Sequence, residues 1–114
     1  MDSSIEEISE LFEKQDWILP NVELVDACIS FVDLYMERLK SSFQPDIDLL
    51  KDGSVDVSWE SANGDHLLIN FKRPNELGTY YGRNVLRTDL IEGKVKIDQF
   101  NFRLYNWIFD HITN

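Results

Sequence analysis

Two histidines, one cysteine and a series of carboxylates are the side chains here with the chemistry to catalyse or to hold a metal. His66 follows Asp65 in a turn, and His111 stands among aromatic residues near the end of the sequence. Neither has a second histidine, a cysteine or a carboxylate at ligand spacing along the chain, so nothing indicates zinc. His111 suits a helix C-terminus, where the dipole favours a cation. Cys28 lies on an apolar seam between Asp26 and Asp33. A nucleophilic thiolate needs an exposed, electropositive site, so Cys28 reads as a small buried hydrophobe. As a single cysteine it forms no internal disulfide, which fits a reducing compartment. Asp46, Asp48, Asp52, Asp56, Glu60 and Asp65 lack the dense DxDxDG spacing and closing glutamate of a calcium loop. Outward acids on alternating strand positions are a solvated face or, at most, a contact surface. The expectation is a protein without catalytic residues, metal or cofactor, and not an enzyme.

Residues suited to recognition are easier to find. Tyr80, Tyr81, Arg83 and Arg87 are of the types enriched at binding hot spots, and Gly78 and Gly82 bracket the tyrosines. Such tyrosines can stack on single-stranded nucleic acid, but the charge of the chain opposes that. Net charge is −10 over 114 residues, unevenly spread: residues 1–65 hold 16 acidic and 4 basic side chains, residues 66–114 hold 5 and 7. The helical acids Glu6, Glu10, Glu13, Asp26, Asp33 and Glu37 therefore define a second candidate interaction surface. A field of this sign repels phosphate backbones and anionic membranes and steers a basic partner. The same acidity also serves solubility.

These side chains need elements to position them. Hydrophobic content of 43% and aromatic content of 12% exclude a disordered chain, and the length is that of one domain, residues 1–114, with a core of its own. No apolar run reaches the roughly 20 residues of a membrane span. An acidic N-terminus is the wrong chemistry for a signal peptide, so a soluble cytoplasmic protein is expected. Ser3 or Ser4, with Glu6 or Glu7 three residues on, predicts a first helix ending near Asp16, with Ile5, Ile8, Leu11 and Phe12 as its apolar stripe. Trp17, Ile18 and Leu19 form an apolar plug before Pro20.

Asn21 predicts the cap of a second helix running to about Ser42. One seam of that helix is Val22, Val25, Ile29, Val32, Met36, Leu39 and Phe43, and beside it runs Leu24, Cys28, Phe31 and Tyr35. So wide an apolar face predicts a helix sandwiched between a sheet and another helix.

The stretch from Pro45 to Arg73 reads as three strands. Val55, Val57 and Trp59 alternate with Asp56, Ser58 and Glu60, and Leu67, Ile69 and Phe71 alternate with His66, Asn70 and Lys72. Leu68 breaks the pattern, an apolar residue on the polar face. Asp52-Gly53 predicts a two-residue turn and Asn63-Gly64 a looser one. Connections this short make the strands antiparallel. TYYGR predicts a fourth strand with Tyr80 or Tyr81 facing inward. Residues 84–97 read as loop with a short edge strand at KVKI. Asp98 is the expected cap of a last helix with Phe100, Leu104, Trp107, Ile108 and His111 on one face, widened by Phe102, Tyr105, Phe109 and Ile112. The fold class is α+β: two N-terminal helices, an antiparallel sheet of three to five strands and a C-terminal helix, in two layers with the helices on one sheet face.

Trp17, Pro20, Ala27 and Phe31, Pro45-x-Ile47, Asp52-Gly53-x-Val55-x-x-x-Trp59 and the strand Leu67–Phe71 together resemble a widespread group of small uncharacterised bacterial and phage proteins. The resemblance spans roughly residues 17–82. It implies the fold and a prokaryotic or phage origin, and no activity. The acidic first helix and the aromatic last helix lie outside it.

The functional expectation is a small acidic, non-enzymatic interaction protein that modulates or inhibits a basic, nucleic-acid-binding partner protein without touching nucleic acid or membrane itself. Antitoxins, immunity proteins and phage anti-defence proteins are of this kind. Two other readings stand beside it. One is a ligand-binding domain or enzyme with a pocket near Tyr80, Tyr81, His66 and Arg83. The other is a subunit that forms homo-oligomers through exposed helical faces.

Overall fold

In the computed structural model the residues described are 21–40 and 43–113. The predicted first helix, with Glu6, Glu10 and Glu13, lies outside them. The order of elements is α1 (Val22–Leu39), β1 (Asp46–Leu49), β2 (Val55–Glu60), β3 (His66–Phe71), β4 (Gly78–Arg83), β5 (Leu90–Val95) and α2 (Phe102–His111). The strands form one antiparallel sheet in the order β1-β2-β3-β4-β5. This is a meander, in which every pairing joins neighbours in sequence. Among the described residues one helix precedes the sheet and one follows it.

Register decides which side chains share a face. Val57 lies opposite Ile69, Trp59 opposite Leu67 and Val55 opposite Phe71, and Ile69 lies opposite Tyr80. All of these are buried, so the alternation read in β2 and β3 marks the core side. Both helices cover that side. Phe31 of α1 meets Phe71 edge-on at 5.1 Å, and Tyr35 meets Trp59 at 6.5 Å. Over β4, Trp107 of α2 comes so near Gly82 that a Cβ there would stand 3.1 Å from its ring. The two helices are tied by Tyr35, whose hydroxyl accepts a hydrogen bond from the Asn101 amide at 3.0 Å and whose ring stacks on Phe100 at 4.9 Å.

α1 starts where expected, with the Asn21 side chain accepting from the Glu23 amide at 2.7 Å. It stops at Lys40, which takes the left-handed conformation (φ 51°). The buried seam is Leu24, Cys28, Phe31 and Tyr35, joined by Val32, while Val22 and Ile29 are exposed. Among the described residues no second helix covers the exposed side, and the predicted first helix lies outside them. The helix packs one face on the sheet and, at its C-terminal end, one flank on Phe100. Burial pushes the Cys28 thiol up to about 12, leaving it inert at neutral pH.

Three expectations are corrected. The β1–β2 connection is a turn over Leu50–Gly53, with Gly53 amide to Leu50 carbonyl at 3.0 Å and Leu50 amide to Ser54 carbonyl at 2.9 Å. Gly53 alone takes positive φ, 88°, so the loop has three residues, not two. Asn63-Gly64 repeats the design, with Gly64 at φ 96°. The fifth strand begins at Leu90, ahead of KVKI, because LIEGKV pairs along all of β4. α2 is capped by Asn101, whose side chain accepts from the Leu104 amide at 3.0 Å. Asp98 lies one turn too early, in the bend after β5.

Candidate interaction surfaces

α1 turns about 100° per residue. With Leu24, Cys28, Phe31 and Tyr35 on the sheet, the opposite crest carries Asp26, Asp33 and Glu37, all exposed. Among the described residues these three make no ion pair. Asp33 and Glu37 are four apart, a spacing at which like charges repel and an opposite charge would have stabilised. Exposed Val22 and Ile29 flank the crest on one side and exposed Leu34 on the other. The expected acidic helical surface is therefore present in α1 as a carboxylate line edged with apolar side chains.

The expected tyrosine–arginine cluster is split. Successive strand residues point to opposite faces, so Tyr80 is 5% exposed beneath α2 while Tyr81 is 43% exposed on the open face. The Tyr80 hydroxyl accepts from Arg103 Nη1 at 3.0 Å, and its ring lies across Gly93, where a Cβ would come within 2.7 Å of the hydroxyl oxygen. Tyr80 is core, and the two tyrosines lie on opposite faces of the sheet. Arg103 Nη1 also donates to the Glu92 carbonyl at 3.1 Å, occupying an edge acceptor of β5.

Tyr81, Arg83 and His66 do share the open face. His66 lies opposite Arg83 and Leu68 opposite Tyr81. That pairing explains the apolar residue on the polar side: Leu68 sits half-buried beside an aromatic ring. The β1–β2 half of this face carries Asp46, Asp48, Asp56 and Glu60, with Asp48 directly opposite Asp56. Asn70 eases the crowding by donating to Asp56 at 2.7 Å.

Arg87 belongs to a structure the sequence reading missed, the β4–β5 connection. Asn84 builds it. Its side-chain oxygen accepts from the amides of Thr88 (2.9 Å) and Asp89 (3.0 Å), and its side-chain nitrogen donates to Thr88 Oγ1 (2.8 Å). The Asn84 carbonyl accepts from Arg87, which takes φ 57°. Two clasps hold the loop to the body. Buried Asp65 accepts from the Val85 amide at 2.8 Å, and His111 Nε2 meets Asp89 Oδ2 at 2.6 Å. The tip so fixed presents Val85, Leu86 and Leu90 to solvent, Leu86 at 76% exposure, beside Arg83 and Arg87. The one signal for it in the sequence was Asn84 followed by Thr88 and Asp89, a side-chain-capped turn.

His111 thus has carboxylates that its chain neighbours did not suggest. Asp89 is at Nε2 and Asp65 lies 3.9 Å from Nδ1, with the Trp107 ring tilted against it at 4.5 Å. The two carboxylates lie at opposite ring nitrogens and do not converge on one point. Among the described residues no group of histidine, cysteine and carboxylate side chains is arranged to hold a metal ion, and no helix there is long and apolar enough to cross a membrane.

Comparison with protein-family models, with curated proteins and with solved structures finds no match. The likeness to small bacterial and phage proteins rests on the residues quoted for it alone.

Proposed function

We propose that this protein is a small, non-enzymatic interaction module that occupies a basic partner protein through the acidic crest of α1 and so modulates or inhibits it. Antitoxins, immunity proteins and anti-defence proteins work in this way, and the basic surface they cover is often one that binds nucleic acid. The observation that carries the reading is the composition of the crest. Asp26, Asp33 and Glu37 stand exposed without a cation among them, with Val22, Ile29 and Leu34 along their edges. Carboxylates supply steering and register, and apolar edges supply the area that becomes dry on contact.

The test is affinity capture by the tagged protein from its native host at low and high salt, wild type beside Asp26→Lys/Asp33→Lys/Glu37→Lys. A basic protein retained at low salt, released at high salt and lost from the variant supports the reading. A partner indifferent to both salt and variant overturns it. The fixed tip of Val85, Leu86 and Leu90 favours a second reading, an apolar contact at the β4–β5 end. It predicts a partner held regardless of salt and lost on Leu86→Ser.

A further inference from the structure

The crest of α1 and the tip of the β4–β5 connection are complementary in chemistry. Along the outermost line of α1 run Val22, Asp26, Ile29 and Asp33, at i, i+4, i+7 and i+11, apolar and acidic in turn. All four are exposed, and the helix holds no lysine or arginine before Arg38. The tip inverts the charge and keeps the apolar share. Val85, Leu86 and Leu90 are all exposed, and Arg83 and Arg87 stand beside them without an ion pair among the described residues. The one acid of the loop, Asp89, is taken up by His111 at 2.6 Å.

Both surfaces are fixed on one body. Leu24, Cys28, Phe31 and Tyr35 seat α1 on the core, so its crest points away from the sheet, while Asp65 and Asn84 hold the tip beyond the ends of β4 and β5. Crest and tip therefore cannot meet within one chain and can meet between two. Guanidinium–carboxylate pairs are strong charge-assisted contacts, and aliphatic side chains of the tip against Val22 and Ile29 supply area that becomes dry. The net charge of −10 opposes self-association at long range. At physiological salt it is screened beyond roughly 8 Å, which leaves the local pairing to decide.

We propose that the tip is occupied by the α1 crest of a second copy of this chain, with Arg83 and Arg87 on Asp26 and Asp33 and Leu86 against Ile29. A contact between two different patches is heterologous, so each copy keeps a tip and a crest for further copies, and association continues as a ring or an open chain. The contact rests on the pairing of the two patches, whether or not a basic partner also uses the crest. Where one does, self-association keeps the crest covered until that partner displaces the tip.

The test is sedimentation velocity of the full chain at about 0.15 M salt. A contact this small is transient, so the series runs to about 1 mM protein, where weak association is populated. The weight-average mass of the wild type should rise with concentration. Arg83→Glu/Arg87→Glu and Asp26→Lys/Asp33→Lys should each stay monomeric, with thermal melts confirming that they fold. An equimolar mixture of the two should regain the rise, because reversed tips then face reversed crests. Both variants remain net acidic, so general attraction between them does not explain a recovery. Leu86→Ser should weaken association at least about tenfold. A wild type that stays monomeric, a charge variant that still associates, or a mixture that stays monomeric overturns the contact. So does a monomeric wild type that sediments with phosphatidylserine vesicles through Leu86, which gives the tip to an anionic membrane instead. Retention of a basic partner is read separately, in the capture at low and high salt, so the crest reading stands or falls on its own.

Discussion

The acidic crest of α1 and the β4–β5 tip present opposite charge and are held by opposite means. The crest needs no bonds of its own. A buried seam anchors α1 to the sheet, and helical geometry then sends Asp26, Asp33 and Glu37 outward. The tip has almost no hydrophobic anchor. Val85, Leu86 and Leu90 stay exposed because Asn84, Asp65 and the Asp89–His111 pair hold the backbone around them. One surface is a by-product of core packing, and the other is built from polar contacts. A mutation that loosens the core therefore removes the crest with the whole fold, whereas one that cuts a tip bond frees the tip alone.

The sharpest way to break this contrast is Phe31→Ala. Phe31 is fully buried and packs on Tyr35 and Phe71, so truncation should cost about 3–5 kcal/mol. Denaturant melts should show it as a fall in the whole transition. If α1 frays while the sheet holds, the crest is an independent unit. Next in size is reversal of the crest. Asp26→Lys/Asp33→Lys/Glu37→Lys should weaken a basic partner on the order of a hundredfold at low ionic strength, with wild type and variant converging as salt rises. Titration calorimetry at two salt concentrations reads this directly, and stability should hardly move.

On the tip side, Asp65→Ala leaves the Val85 amide without its acceptor and should cost about 1–3 kcal/mol. Hydrogen exchange should speed up at residues 84–89 well before β2 and β3 respond. Leu86→Ser tests what the tip is for. At 76% exposure the substitution should leave the melt within about 0.5 kcal/mol of wild type, and any partner that is lost must have used the tip.

The smallest effect lies in the β1–β2 turn, which shares neither surface. The Ser54 hydroxyl (2.6 Å) and amide (3.0 Å) both donate to Asp52 and hold its carboxyl below the usual range. A depressed carboxyl contributes stability above its unfolded-state value and loses it as pH falls through the folded-state value. Wild type should thus shed a small increment of stability on acidification that Asp52→Asn does not, read in denaturant melts across pH.

Local pattern made much of this molecule readable in advance. The period of two in β2 and β3 gave the core face residue by residue, short connections required antiparallel pairing, and Asn21 marked the start of α1. The crest followed from the same arithmetic, because 3.6 residues per turn places Asp26, Asp33 and Glu37 together in any context. Strand β5 was obscured by its own composition. LIEGKV has a glycine and two charges, and only pairing with β4 makes it a strand.

Where two faces competed for one element, the chain alone could not choose between them. α1 has two apolar seams and α2 has aromatic residues around most of its circumference. Burial of Leu24, Cys28, Phe31 and Tyr35, and of Leu104, Trp107 and Ile108, turned Ile29, Phe102 and Phe109 outward, since a helix on a sheet hides only one side. The same holds for the side chains that meet across the fold. Tyr80 and Tyr81 are neighbours in sequence and lie on opposite faces of the sheet. Asp65, Asp89 and His111 are far apart in sequence and meet at one ring. Spacing along the chain determined the elements and their charge; which faces were covered, and which distant polar groups met, was decided by the packing of helices on the sheet.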